Sequence, residues 1–315
     1  MKAIQITEFG GPEAMELVEL EDPQPGPGET VVEITRSGVN FADTHATRNE
    51  YLAAQELPLI PGVEFVGRTP EGKRVAGVVP SGAYAERIAV PVAGLVPIPD
   101  GVDDDQAVAL LIQGLTADAI LRVSAHLAVG ESVVVNAAAG GTGSLAVQIA
   151  RAMGAGRVIG LASSDEKRSL VLELGADDAL DSSATGLGDR VREANGGEVD
   201  VVLEMAGGDA FDELASTLAP FGRMVTFGIA TRQENTVRTG SLMRHSRAIV
   251  GFWITHLLAR PELVRAGLER VMGAAAAGEL RTVIGGVYPL SGAAEAHQAL
   301  VGRNSTGKLL LDPSS

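Results

Sequence analysis

Nine residues, Asn136 to Ser144, with the small run Ala138, Ala139, Gly140, Gly141, Thr142 and Gly143 among them, separate the β-branched run Val133-Val134-Val135 from the segment Leu145 to Met153, where apolar positions recur at helical spacing. The pattern predicts strand, glycine turn and helix. Without Cβ atoms the backbone can bend sharply, and a pyrophosphate can approach the N–H groups of Ala139, Gly140, Gly141, Thr142 and Gly143. Gly143 also permits close packing of helix on strand. The open N–H groups and the dipole at the helix start favour phosphate charge. Against the pattern G-x-G-x-x-G, the first position is Ala138. A tight structural turn would use the same residues, and it is the strand before and the helix after that favour a dinucleotide.

The next strand, Arg157 to Ala162, runs into Ser163 and Ser164, and the helix that follows brings Lys167 and Arg168. A carboxylate at that strand end would hold the ribose hydroxyls of NAD. Two hydroxyls and two cations suit a 2′-phosphate instead, because charge-assisted hydrogen bonds to phosphate are strong, so the expected coenzyme is NADPH. The competing reading is a solvated first turn capped by Ser164 or Asp165.

These residues need a scaffold. A chain of 315 residues, 45% hydrophobic and 21% charged, buries a sizeable core and most often forms two domains. A formal charge of −15 disfavours nucleic acid and anionic membrane as partners. The absence of cysteine excludes disulfides, thiolate catalysis and cysteine-ligated zinc. Met1 to Ile6 enters directly into strand-like alternation, and no later apolar run is long enough to span a bilayer, so a cytoplasmic location is expected.

The first third alternates short β-forming segments, Glu16 to Leu20, Glu29 to Arg36, Gly62 to Arg68 and Gly82 to Val90, with Gly and Pro. Gln106 to Ala125 reads as helix. From Val133 to Trp253 strands and helices alternate, which predicts a doubly wound parallel sheet. The tail is mixed and is placed with the first part. The expected architecture is α/β, with a dinucleotide-binding domain at 112–253 inserted into a β-rich domain made of 1–111 and 254–315.

The motifs Phe9-Gly10-Gly11-Pro12-Glu13, Gly38-Val39-Asn40 with Asp43, Pro61-Gly62-Val63-Glu64, Gly82-Ala83-Tyr84-Ala85-Glu86, Gln113-Gly114-Leu115-Thr116-Ala117, the glycine turn and Gly307-Lys308 occur in a set order. In that order they resemble the medium-chain dehydrogenase/reductase superfamily, and within it the zinc-free, ζ-crystallin-like quinone oxidoreductases. The resemblance implies a GroES-like catalytic domain around a Rossmann domain. Zinc-dependent relatives carry a cysteine and a Gly-His-Glu motif where this chain reads Gly38-Val39-Asn40 and Gly62-Val63-Glu64, so no metal is expected.

The resemblance also implies that Thr116 lies near the nicotinamide, that Phe227-Gly228 flanks its ribose, that backbone at Phe252 and Trp253 holds its carboxamide, and that Lys308 lies on the phosphate side. Core or interface packing is the alternative for the aromatic side chains. A homodimer through edge strands of the nucleotide sheets, at Ile249 to Phe252, is implied as well.

Without metal or cysteine, hydride must pass to an acceptor that is already electrophilic, a quinone or an α,β-unsaturated carbonyl. The protein then positions it and donates hydrogen bonds to the developing oxyanion. Asn40 is the first candidate, its amide donating to the carbonyl or holding the nicotinamide, unless it serves only a turn. Tyr51 is the second and matches a family tyrosine; an exposed aromatic on a loop is the alternative. Glu64 is read as structural, paired with an arginine, and the five scattered histidines receive no role. Gly251 to His256 also resembles a segment of 2-enoyl-thioester reductases, in which the counterpart of Tyr51 is the proton donor. A nucleotide-binding protein with little turnover is the reading from another class.

Overall fold

Eleven residues, Glu29–Val39, form the longest strand and the spine of the first half. In this computed structural model, which describes residues 1–183 and 185–315, the chain divides into two compact units, Met1–Ile112 with Met272–Ser315, and Gln113–Val271.

The first unit contains β1 (Lys2–Gln5), β2 (Glu16–Glu19), β3 (Glu29–Val39), α1 (Phe41–Ala46), β4 (Glu64–Arg68), β5 (Arg74–Val78), β6 (Arg87–Pro91), β7 (Val96–Pro97) and α2 (Asp104–Ala109). It is completed by β14 (Ile284–Pro289), α11 (Ala293–Val301) and β15 (Lys308–Asp312). The sheet order is β14-β15-β3-β4-β5-β7, and β6 lies against the first part of β3. One strand serves three neighbours because its register with β4 shifts between Ile34 and Arg36, a bulge that bends it. Its last residues then pair with β15, Val39 opposite Leu309. Val32, Ile34, Phe65, Val75 and Val90 form one core cluster. Ile4, Val39, Tyr84, Leu290, Leu309 and Leu311 contribute to a second.

The second unit contains α3 (Leu115–Ala119), β8 (Ser132–Val135), α4 (Gly141–Ala152), β9 (Arg157–Ala162), α5 (Asp165–Glu173), β10 (Asp178–Asp181) and α6 (Leu187–Asn195). It continues with β11 (Val199–Glu204), α7 (Asp209–Ser216), β12 (Leu218–Thr226), α8 (Thr239–His245), β13 (Ala248–Gly251), α9 (Ile254–Leu258) and the start of α10 (Pro261–Ala276). Its six strands are parallel, in the order β10-β9-β8-β11-β12-β13. Every residue of β8 is buried, as expected of a central parallel strand covered on both faces. The strand order reverses between β8 and β11, the point where doubly wound sheets bind ligands.

The expected inserted segment closed at 253, whereas the second unit runs on to Val271. Arg270 accounts for this: its Nε and Nη2 donate to buried Asp118 at 3.0 and 2.5 Å. The run Asp104–Ser124 is long and apolar enough to cross a membrane, but 72% of its most apolar window is buried inside the fold, as in a core helix.

Candidate active site

The turn after β8 is built as its residue types require. Gly140 N-caps α4 in extended backbone with no side-chain cap, and the first turn of the helix carries no acidic residue. Gly140 N donates to Ala137 O at 2.9 Å and Ser144 N to Gly140 O at 2.8 Å. The N–H groups of Gly141, Thr142 and Gly143 lie ahead of any intrahelical acceptor. A Cβ on Gly143 would sit 2.2 Å from Ala137 O, so only glycine lets the helix approach the turn this closely. Ala138, Ala139 and Gly143 are buried, and Gly140, Gly141 and Thr142 are half-buried.

Gln113 lies directly on Gly141, where a Cβ would stand 1.7 Å from its Oε1. That oxygen is buried and has no hydrogen-bond partner among the described residues. The carboxamide can rotate to present either end. A helix start with free N–H groups, a turn too tight for side chains and an orphaned amide together fit a dinucleotide. Thr116 is buried in α3, which packs on α4.

At the end of β9, Ala162 is followed by Ser163 and Ser164, both exposed, and the first carboxylate is that of Asp165 in α5. Ser164 is the helix cap: its Oγ accepts from Lys167 N at 3.3 Å. Arg168 donates to Ala162 O at 3.2 Å, forms a contact with Asp165, and approaches Asp181 Oδ2 at 3.7 Å. Asp165 is 97% exposed, so that pair is weak and exchangeable. Lys167 is half-buried, and burial holds its ammonium below the ordinary value, with Glu166 opposing. The solvated-turn reading therefore describes Ser164, while Ser163 is exposed and Lys167 and Arg168 are half-buried.

Phe227-Gly228 and Phe252-Trp253 follow the carboxyl ends of neighbouring strands. Phe227 N donates to Glu204 O at 3.0 Å and Phe252 N to Thr226 O at 2.9 Å. A Cβ on Gly228 would lie 2.8 Å from Met205 O, which makes this a close backbone approach. The Trp253 ring meets His256 edge-on at 5.3 Å.

The first unit holds a different arrangement, and it corrects two expectations. Lys308 is 1% exposed; its Nζ donates to Asn40 Oδ1 at 2.7 Å and ion-pairs with Glu64, so it is not available to a coenzyme phosphate. Asn40 Nδ2 donates to Glu64 Oε1 at 2.7 Å, so both ends of its carboxamide are engaged and it is no free donor to a carbonyl. Glu64 Oε2 accepts from Ile112 N at 2.9 Å. Glu64 is structural as expected, but its partner is a lysine rather than an arginine. Gly38 makes room for it: a Cβ there would stand 2.3 Å from Glu64 Oε1.

Beside this cluster, Asp43 Oδ2 accepts from Asn40 N at 2.9 Å and from the Tyr84 hydroxyl at 3.0 Å. The Tyr84 oxygen lies 3.1 Å from His297 Nε2. If that hydroxyl donates to Asp43, Nε2 carries the imidazole proton and Nδ1, which has no partner among the described residues, is the bare nitrogen of a neutral ring. Burial pushes Asp43 up to about 7, against the Asn40 N–H, Lys308 and Tyr84, and pushes His297 down to about 4. Apolar neighbours in sequence gave no sign that His297 would be enclosed. Tyr51 is half-buried, its ring stacked on His45 at 5.7 Å.

Residues 26–100 match the alcohol dehydrogenase GroES-like domain, and residues 141–271 the zinc-binding dehydrogenase family. A quinone oxidoreductase of Pseudomonas aeruginosa is 35% identical over 99% of this chain and 99% of its own length. A 2-haloacrylate reductase of a Burkholderia species is 31% identical, again over 99% of each. Among solved structures, the quinone oxidoreductase from Thermus thermophilus, known also in complex with NADPH, matches with a TM-score of 0.90 at 41% identity, over 99% of this chain and 100% of that one. Zinc, named in the family description, does not fit the donors present. The Lys308 ammonium closes the Asn40–Glu64 cluster, and no group of three His, Asp or Glu side chains suited to a metal occurs among the described residues.

Proposed function

Since the chain belongs to the medium-chain dehydrogenase/reductase family, in its quinone oxidoreductase branch, we propose that it is an NADPH-dependent, metal-independent reductase of quinones or α,β-unsaturated carbonyls. The observation that carries this reading is the turn at Ala138–Gly143, with its open N–H groups at the start of a twelve-residue helix and no room for a Cβ at Gly143. Bound NADPH would supply the hydride.

The chain's own residues supply the rest. The N–H groups of Gly141, Thr142 and Gly143 hold the pyrophosphate, while Gly140 N is already bonded to Ala137 O. Ser163, Lys167 and Arg168 hold the 2′-phosphate, Arg168 exchanging the exposed Asp165 for it. Backbone at Phe227-Gly228 and Phe252-Trp253, and the buried Thr116, fix the nicotinamide end. Tyr51 donates a hydrogen bond or proton to the acceptor oxygen as negative charge grows there. The 2-haloacrylate reductase relative supports the unsaturated acceptor, because an acrylate places its double bond beside a carboxyl carbon. β13, with one edge unpaired in the sheet, supports a homodimer through that edge.

Oxidation of NADPH and NADH is to be followed with a 1,4-quinone, a simple enone and a crotonyl thioester, in wild type and Tyr51→Phe. NADPH is expected to give the higher kcat/KM, with turnover of quinone or enone. Equal kcat/KM for the two coenzymes would overturn the cofactor assignment, and binding without consumption of any acceptor would favour a nucleotide-binding protein. Thioester turnover that depends on the Tyr51 hydroxyl would favour the enoyl-thioester reductase.

A further inference from the structure

We infer that Asn136 and Glu204, which no sequence motif singled out, are the positioning pair of the coenzyme seat, and that they set coenzyme affinity rather than the chemical step. The inference rests on reading the glycine turn as that seat. The two residues stand at the carboxyl ends of β8 and β11, the adjacent strands between which the strand order reverses. Both are buried, Glu204 completely.

Their bonds form a chain that ends in the turn. Asn136 Nδ2 donates to Glu204 Oε1 at 2.9 Å, and Asn136 Oδ1 accepts from Ala137 N at 2.8 Å. Ala137 has φ +53, a left-handed conformation that a residue with a Cβ rarely adopts and that persists only where neighbours enforce it. In that conformation its carbonyl accepts from Gly140 N and faces the Cα of Gly143. Asn136 is therefore the side chain that enforces the bend. Glu204 enforces Asn136, and it does more. Its carboxylate accepts from Ala206 N at 2.8 Å and Gly207 N at 3.2 Å, shaping the loop after β11, and its backbone oxygen accepts from Phe227 N. Glu204 thus ties the glycine turn, through Asn136, and the loop after β11 with its carboxylate, and Phe227 with its backbone oxygen; the turn and Phe227 are segments the coenzyme is proposed to touch.

The groups facing the two side chains are the N–H groups of Ala137, Met205, Ala206 and Gly207, and apart from Glu204 itself no ionisable side chain among the described residues has a hydrogen bond or ion pair to either member. Burial raises the Glu204 carboxyl above its ordinary value, and only neutral donors oppose that. A second carboxylate at position 136 would therefore compete with it for one proton.

The test measures Kd for NADP⁺ by calorimetry at pH 8 and pH 5.5, always as the ratio of variant to wild type, with circular dichroism to confirm folding. Asn136→Asp is expected to weaken binding about tenfold or more at pH 8 and to recover at pH 5.5, where one carboxyl holds a proton and donates to the other. The double variant Asn136→Asp/Glu204→Gln exchanges donor and acceptor and is expected to restore affinity at pH 8. KM for NADPH should rise far more than kcat falls. Should Asn136→Asp not fold, Asn136→Ala, which removes both bonds, is expected to show the same loss at both pH values. If wild type binds NADP⁺ and Asn136→Asp, or in its place Asn136→Ala, binds as tightly at pH 8, or if the exchanged pair restores nothing, the positioning role is wrong while the seat stands. If wild type binds neither NADP⁺ nor NADPH, the seat falls and the pair with it.

Discussion

Two buried polar regions, one in each unit, answer the same physical demand in opposite ways. Around Lys308, the ammonium, the Asn40 carboxamide and both oxygens of Glu64 bond to one another or to Ile112 N, and Tyr84 bridges Asp43 to His297. Among the buried side-chain atoms of the described residues there, only His297 Nδ1 has no partner. At the glycine turn, Asn136 and Glu204 satisfy each other and the bend, but among the described residues no side chain caps α4 and the Gln113 oxygen has no partner. Buried polar groups are ordinarily satisfied, so unused hydrogen-bonding capacity marks the place where a ligand completes the structure. Polarity and burial by themselves do not. That is why Lys308 and Asn40, attractive as site residues in sequence, belong to the framework.

The first way to break the contrast is to open the closed region. Lys308→Met leaves Glu64, fully buried, without its cation. Removing one partner of a buried ion pair typically costs about 3–5 kcal/mol, while replacing both by apolar or neutral groups can be close to neutral. Guanidinium unfolding should therefore show a large loss for Lys308→Met and a much smaller one for Glu64→Gln/Lys308→Met. A small loss in the single variant would mean that the cluster is wetter and more open than its geometry indicates.

The same region makes a sharper statement through pH. Asp43 titrates near 3.8 when unfolded and near 7 in the fold, and His297 near 6.5 unfolded and near 4 folded. Between about pH 4 and 6.5 the unfolded chain holds its proton on His297 and the folded chain holds one on Asp43. The proton counts match, so the pair adds no slope to stability in that window. Removing one member exposes the other. In Asp43→Asn, stability falls as pH drops from 6.5 towards 4, because only the unfolded chain binds the His297 proton. In His297→Gln, stability falls as pH rises from 4 towards 7, because the fold keeps a proton on Asp43 that the unfolded chain releases. Each limiting slope is about 1.4 kcal/mol per pH unit, opposite in sign. Urea unfolding at pH 4.5–7.5, relative to wild type, checks both; profiles of equal sign would show that the two groups do not titrate against each other.

Legibility in sequence followed the range of the interaction. Arg157–Ala162 was readable as a strand and Pro261 onward as a helix, because apolar period, Gly and Pro act over a few residues. The glycine turn was readable for the same reason. Gly82 to Val90 was less so: only Arg87–Pro91 is regular strand, and Ala85 makes an isolated bridge to Ala3. Glu64 finds its lysine 244 residues away, and Asn136 its glutamate 68 away, distances over which a single sequence carries no pairing signal. The arginine expected beside Glu64 was a guess about charge without geometry. Asp43 and His297 were visible as residue types, but their burial depends on the packing of α1 against α11.

The smallest effects sharpen the contrast most, because two neighbouring glycines in the open region differ in what a methyl group would strike. At Gly143 a Cβ meets backbone, Ala137 O at 2.2 Å and Ala138 Cα at 2.8 Å, so the turn itself must move. At Gly141 the three nearest atoms all belong to the Gln113 carboxamide, the far end of a side chain that can rotate away. Alanine favours a helix interior over glycine by about 1 kcal/mol, so any such gain in helix propensity opposes the strain in stability but not in binding. Gly143→Ala should raise the Kd for NADP⁺ about tenfold, or about 1.4 kcal/mol. Gly141→Ala should raise it less, and in a Gln113→Ala background the added methyl should cost almost nothing. Equal losses at the two glycines would mean that Gln113 is held as rigidly as the backbone. Its unpartnered oxygen would then be a feature of the closed kind, and the distinction between the two regions would lose its physical basis.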